Sequence, residues 1–144
     1  MIAFRGRYEH QMDEKGRVSL PSAFRRGGAD GDRFLLLQWE RPYLTLFPES
    51  RWSEIEARLL EYRKTGREAM NQVRMLFSGL VEVTVDKQGR ILVPAALKEA
   101  AGLDTSVLLL GMSDRVELWN PKTYDSTVEK QAGDFDQFAH QLFG

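Results

Sequence analysis

The chain has 144 residues, 42% hydrophobic and 28% charged, enough apolar surface for one ordinary domain or two very small ones and too much for a disordered chain. It has no cysteine, which excludes a disulfide framework, thiolate catalysis and thiolate-bound metal. The net charge of −1 hides an asymmetry: residues 1–26 carry six Lys/Arg against three Asp/Glu, and residues 125–144 one Lys against four acids, so a cationic surface is expected at one end.

The start, "MIAFRGRYEH", reaches charge at Arg5 without the apolar run of a signal peptide. Apolar clusters such as 107–112 are far too short to span a bilayer. A soluble, cytoplasmic protein with no membrane partner is expected.

Residues 12–25 read "MDEKGRVSLPSAFR" and residues 85–98 read "VDKQGRILVPAALK". At an offset of 73, the 22 positions 4–25 contain eight identities: Phe4/Phe77, Gly6/Gly79, Glu9/Glu82, Asp13/Asp86, Gly16/Gly89, Arg17/Arg90, Pro21/Pro94 and Ala23/Ala96. The apolar run 34–37 falls on 107–110 at the same offset, and at 72 Phe47 and Trp52 fall on Trp119 and Tyr124. The chain is two copies of one unit, and its fold is expected to have an intrachain pseudo-two-fold axis.

In chain order, each copy predicts strand, tight turn, strand, short helix, strand, strand, helix. In the turns "DEKG" and "DKQG", Asp13 and Asp86 are placed to accept backbone N–H bonds, and Gly16 and Gly89 to take the left-handed conformation. Val18 and Leu20 alternate with Arg17 and Ser19, which turns the arginine to the polar face. Pro21 and Pro94 are expected to open short helices, and Gly27 and Gly102 to cap them. Paired β-runs are expected at 33–38 with 43–47 and 106–111 with 114–119. Between the copies, Trp52, Ile55, Leu59 and Tyr62 predict one helical face. Thr65 to Glu68 reads as a capping box for a second helix presenting Met70, Val73 and Phe77. After Pro121, a helix leads to a stripe of Phe135, Phe138 and Leu142, expected to meet the core or another subunit. The boundaries read as 4–52 for the first repeat, 53–76 for a helical connector, 77–124 for the second repeat and 125–144 for a helical tail. Neither copy of about 50 residues buries enough surface alone, so the two should close on each other and satisfy their exposed strand edges.

Enzyme chemistry finds no support. His10 and His140 lack ligand spacing, so no metal is expected. The glycine-rich 27–32 matches neither phosphate-binding pattern, Asp30-Gly31-Asp32 lacks the remaining ligands of a calcium loop, and no nucleophile elbow is present. No cofactor is expected.

The D-x-x-x-R pairs, Asp13/Arg17 and Asp86/Arg90, are the most specific feature. Asp reads as a turn brace. Arg has two readings: pairing with a neighbouring acid such as Glu9 or Glu82, or reaching phosphate or the O6/N7 edge of guanine. Arg5, Arg7, Lys15, Arg25 and Arg26 could then supply phosphate contacts. The second copy offers Lys87, Arg90 and Lys98 against three acids, so the first copy is expected to dominate binding.

The "FRG" opening at 4–6, the two turns followed by "VSLP" and "ILVP", and "LWNP" at 118–121 together resemble the MraZ family over nearly the whole chain. The resemblance implies an α+β, β-rich fold: a duplicated AbrB-like (SpoVT-AbrB) swapped-hairpin double-half barrel with flanking helices. It implies a nucleoid-associated transcriptional regulator that binds double-stranded DNA at short direct repeats upstream of its own division and cell-wall gene cluster, with repression favoured. It also implies a ring-like homo-oligomer larger than a dimer, and links the D-x-x-x-R arginine, here Arg17 and Arg90, to DNA. The competing class is an AbrB-type antitoxin or protein-binding module, though two units in one globular chain argue against it.

Overall fold

In the computed structural model, which describes residues 3–25 and 32–144, eight strands and five helices form an α+β fold. The strands are β1 (Arg7–Gln11), β2 (Arg17–Ser19), β3 (Arg33–Leu37), β4 (Leu44–Pro48), β5 (Val81–Thr84), β6 (Arg90–Leu92), β7 (Ser106–Gly111) and β8 (Val116–Trp119). The helices are α1 (Glu49–Tyr62), α2 (Arg67–Ser78), α3 (Ala95–Ala100), α4 (Pro121–Thr127) and α5 (Phe135–Phe143), with 3₁₀ turns at Ser22–Phe24, Arg63–Thr65 and Glu129–Gln131. Arg26, the Gly27 cap and most of the loop 27–32 lie outside the described residues.

Six strands make one antiparallel sheet in the order β1-β7-β8-β4-β3-β5, and β2 and β6 make a separate ribbon. The order reads the same from either edge once each strand is exchanged for its repeat, so the pseudo-two-fold axis passes between β4 and β8. Registers obey it too. Tyr8 pairs with Leu109 and Leu36 with Val81, and the offset of 73 carries Tyr8 onto Val81 and Leu36 onto Leu109. Val18 faces Ile91 on the same axis.

The apolar runs of β3 and β7 are buried on both faces, so they show continuous hydrophobicity rather than alternation. Phe34, Leu36, Leu44, Leu46, Val107, Leu109, Val116 and Leu118 enter the central core, which Val18 and Ile91 of the ribbon close from the other side. On the opposite sheet face, Leu35, Leu37 and Phe47 pack under Trp52 of α1, while Leu108 and Trp119 pack under Tyr124 of α4. The two helices thus cover equivalent halves of that face.

Local signals held unevenly. Gly102 ends α3 at φ 61°, with Leu103 N–H donating to the Lys98 carbonyl at 2.9 Å, so the expected left-handed cap is present. Pro21 and Pro94 stand one position before their helical turns, as caps. The capping box at Thr65 does not form. Residues 63–65 continue from α1 as a 3₁₀ turn, the Thr65 hydroxyl donates back to the Tyr62 carbonyl at 2.8 Å, and α2 starts after Gly66 without a side-chain cap. The buried residues of α2 are Ala69 and Val73.

Where β4 meets β8, Thr45 faces Glu117. Glu117 is only 9% exposed and accepts a hydrogen bond from Trp119 Nε1 at 2.8 Å. Burial, and then the nearby Glu40, push its carboxyl above the usual range, against the opposing pull of the Trp119 bond and Arg115. The folded state therefore favours the neutral carboxyl. Its contribution to stability is full below the ordinary glutamate pKa of about 4.3 and is lost as pH rises through the raised folded value. Glu117→Gln keeps an acceptor for Trp119 and should raise Tm by a few degrees at pH 7, with the gain vanishing near pH 4, measured by melting across that range.

Candidate nucleic-acid interface

Both turns are built alike. Asp13 N–H donates to the Arg17 carbonyl at 2.9 Å and Gly16 N–H to the Asp13 carbonyl at 3.0 Å. Oδ1 of Asp13 accepts from the backbone N–H of Lys15 at 3.0 Å and of Arg17 at 2.9 Å. The second turn repeats this, with Asp86 Oδ1 accepting from Gln88 at 2.8 Å and Arg90 at 2.9 Å. Gly16 and Gly89 stand at φ 88° and 78°, where a side chain is strained. A Cβ on Gly16 would also lie 2.5 Å from the Val93 carbonyl oxygen of the other copy. That approach exists because Val93 N–H donates to the Gly16 carbonyl and Leu20 N–H to the Gly89 carbonyl, each at 2.9 Å.

The second oxygen of each aspartate takes the arginine. Asp13 Oδ2 accepts from Arg17 Nε at 2.7 Å and Asp86 Oδ2 from Arg90 Nε at 3.1 Å. The partner is the turn acid itself, and neither Glu9 nor Glu82 holds either arginine. Among the described residues each guanidinium uses only Nε, which leaves both Nη groups without a hydrogen-bond partner. The backbone bond from the arginine N–H is the main cause holding each aspartate below the usual carboxylate range, against the opposing effect of burial; the arginine side chain and the other turn N–H, of Lys15 or Gln88, add to it.

The ribbon brings the two arginines together. Arg17 lies opposite Leu92 and Ser19 opposite Arg90, with Val18 and Ile91 facing the core. Arg17, Ser19, Arg90 and Leu92 therefore share the outer face, with the arginines on a diagonal about 7–8 Å apart. Leu92 is 52% exposed there. A turn stands at each end of this face, with Lys15 and Lys87 exposed at the tips.

Arg25 crosses to the other copy: a Cβ on Gly89 would lie 2.7 Å from its Nη1. The second turn thus has Lys87, Arg90 and Arg25 against Asp86, while the first has Lys15 and Arg17 against Asp13 and Glu14. Arg5 and Arg7 lie elsewhere. Arg7 is at the far end of β1, roughly 20 Å of extended chain from Asp13. It pairs with Glu129 at 2.9 Å and sits over the Tyr124 ring at 5.1 Å. Arg5 is exposed beside the Phe4–Ser113 bridge. Among the described residues there is no cluster of His, Cys, Asp and Glu that could hold a metal. No helix among them is long and apolar enough to cross a membrane.

A family model described as "MraZ protein, putative antitoxin-like" matches residues 3–74 and again 76–144. The chain belongs to the MraZ family. It is 38% identical over 139 residues to the transcriptional regulator MraZ of Desulforamulus reducens, covering 96% of each chain. It is 42% identical over 123 residues to that of Acetivibrio thermocellus, covering 85% of each. With that of Thermoanaerobacter pseudethanolicus it is 38% identical over 137 residues, covering 95% of this chain and 94% of the relative. The duplicated AbrB-like fold implied by the MraZ resemblance is consistent with the sheet described above.

Leu92 and Ser19 on the outer face, and Arg25 at the second turn, are positions of this MraZ-family chain that its sequence does not mark as functional. The repeat carried the signal, because pairing Arg17 with Arg90 across an axis puts positions 19 and 92 beside them. Gly16→Ala should cost about 2 kcal/mol in chemical unfolding, while Gly79→Ala, with nothing nearer than 4.0 Å, should stay within about 0.5 kcal/mol. Asp13 and Asp86 contribute stability above their ordinary pKa of about 3.9, which is lost as pH falls through the lowered folded values. The double variant Asp13→Asn/Asp86→Asn should therefore show a shallower fall of Tm between about pH 4 and pH 2.

Proposed function

We propose that this chain is a sequence-specific DNA-binding transcriptional regulator in the cytoplasm, associated with the nucleoid, and that the outer face of the β2–β6 ribbon is its reading surface. The observation that carries this is the pair of arginines, each anchored through Nε and each with both Nη groups free among the described residues. A guanidinium held in this way has its fork oriented before contact, which suits bidentate bonds to guanine O6/N7 or to a phosphate. Lys15, Lys87 and Arg25 flank it and suit phosphate contacts that set register. The names of the relatives and the family match support the regulatory role.

The target is short direct repeats upstream of the chain's own division and cell-wall gene cluster, with repression as the outcome. The reading face itself favours direct over inverted repeats. Its arginines obey the pseudo-two-fold but Ser19 and Leu92 break it, so one chain presents a directional face to one asymmetric element. Leu92 is suited to a thymine methyl, Ser19 to a polar base edge. Several chains in a ring-like homo-oligomer, each meeting one repeat, would add weak contacts through effective concentration.

Counting charge by copy made the first copy dominant. Among the described residues the second turn has the larger positive charge, which supports at least an equal share for it. Arg17→Ala and Arg90→Ala should each weaken binding to the upstream fragment by about 1–3 kcal/mol per contact, Arg90→Ala no less than Arg17→Ala, amplified where several chains engage one site. Arg17→Lys should recover little, because the fork is lost. Titrations at two salt concentrations, alongside melting curves, test this. Normal operator binding by both folded alanine variants would sink the reading, and a protein-binding role would then be preferred.

A further inference from the structure

Helix α5 is capped by Asp134, whose Oδ1 accepts from Gln137 N–H at 3.0 Å, yet none of its residues is buried. Phe135, Phe138 and Leu142 form the expected stripe, continued by Phe143, and the exposure of Phe135 and Phe143 is 61% and 87%. The repeat makes this odd. α4 stands where α1 stands, so α5 follows α4 as α2 follows α1, but α2 buries Ala69 and Val73. α1 has 14 residues and offers a flank, whereas α4 has seven and does not. A nine-residue helix with an uncovered apolar face is marginal in water and needs a partner.

An apolar groove lies along α1, with a volume of about 510 Å³. Leu37, Phe47, Ile55 and Leu59 line it, and the half-exposed Trp39 and Tyr62 form its lips. Its rim carries Arg51, Arg58 and Arg115. Arg51 and Arg115 share Asp114, and Arg51 also holds Glu54, while Arg58 has no carboxylate partner among the described residues. Counting those two acids, the rim keeps a net +1. Residues 134–144 carry Asp134 and Asp136 and no Lys or Arg. An acidic helix with an aromatic stripe and a cationic groove with an aromatic-lipped apolar floor are complementary.

We propose that α5 of one chain seats in the α1 groove of a second copy, Phe138 entering the floor and Asp136 meeting Arg58. Helix and groove are different surfaces of one chain, so the contact is head-to-tail, the kind that builds a ring where the rotation from chain to chain closes. This rests on the homo-oligomer reading above and names the interface that builds it.

The test uses the full chain, Phe138→Glu and Arg58→Glu, each substitution at an exposed position, with circular dichroism and Tm as controls of folding. Sedimentation should show a large wild-type assembly. Phe138→Glu should weaken self-association by roughly thirtyfold or more and Arg58→Glu by about tenfold. An equimolar mixture at a concentration where each variant alone is monomeric should form dimers, because the intact tail of one fits the intact groove of the other. Intact assemblies in both variants would overturn the tail-in-groove contact and leave the oligomer reading standing. Dissociation by Phe138→Glu alone would also overturn it, since the tails would then pair with each other or sit elsewhere. A monomeric wild type at micromolar concentration would overturn both.

Discussion

Among the described residues, four of the six strand pairs join one copy of the repeat to the other: β1 with β7, β2 with β6, β3 with β5 and β4 with β8. This exchange of backbone hydrogen bonds is the constraint on which the rest depends. A half on its own would keep only its β3–β4 or β7–β8 hairpin and leave the other strand edges unpaired, at a cost for every buried N–H and C=O left open. The central core draws Phe34, Leu36 and Leu44 from the first copy and Val107, Leu109 and Leu118 from the second, so hydrophobic burial has the same dependence. The reading face inherits its geometry from the exchange. Arg17 and Arg90 are neighbours only because β2 and β6 pair, and the turn before each strand is tied to the end of the other by the Gly16–Val93 and Gly89–Leu20 bonds.

Much of this was legible in the residues, because a period of 73 has few physical explanations and halves of about 50 residues cannot stand alone. The turns were legible for a local reason: Asp and Gly at fixed offsets have conformational preferences that tertiary context seldom overrides. What stayed hidden is what depends on contacts across copies. Spacing suggests Glu9 or Glu82 as the acid beside the arginine, and only the course of the turn makes it Asp13. Arg25 counts as first-copy charge in the sequence, while the interlock delivers it to the second-copy turn. The capping box failed differently: Thr65 to Glu68 has the right letters, but α1 runs on into a 3₁₀ turn that engages the Thr65 hydroxyl first. The stripe of α5 was visible, and the core half of its expectation was wrong because α4 is too short to cover it.

Fusion of two copies in one chain gives a freedom that two identical chains lack. In a homodimer of single units every substitution appears twice, on both sides of the axis. Here equivalent positions have diverged on outer surfaces: Ser19 against Leu92, and α2 against α5. Both divergences fall away from the inner core, where Val18 against Ile91 and Leu36 against Leu109 keep similar volumes and Phe34 against Val107 stays apolar. The pattern has a physical reason. The core is shared across the axis and close-packed, so a change on one side strains the other. The outer faces have no such coupling, and one half can turn a helix inward while the other leaves it free. A protein assembled from near-equal halves can thus be symmetric where it folds and directional where it meets other molecules.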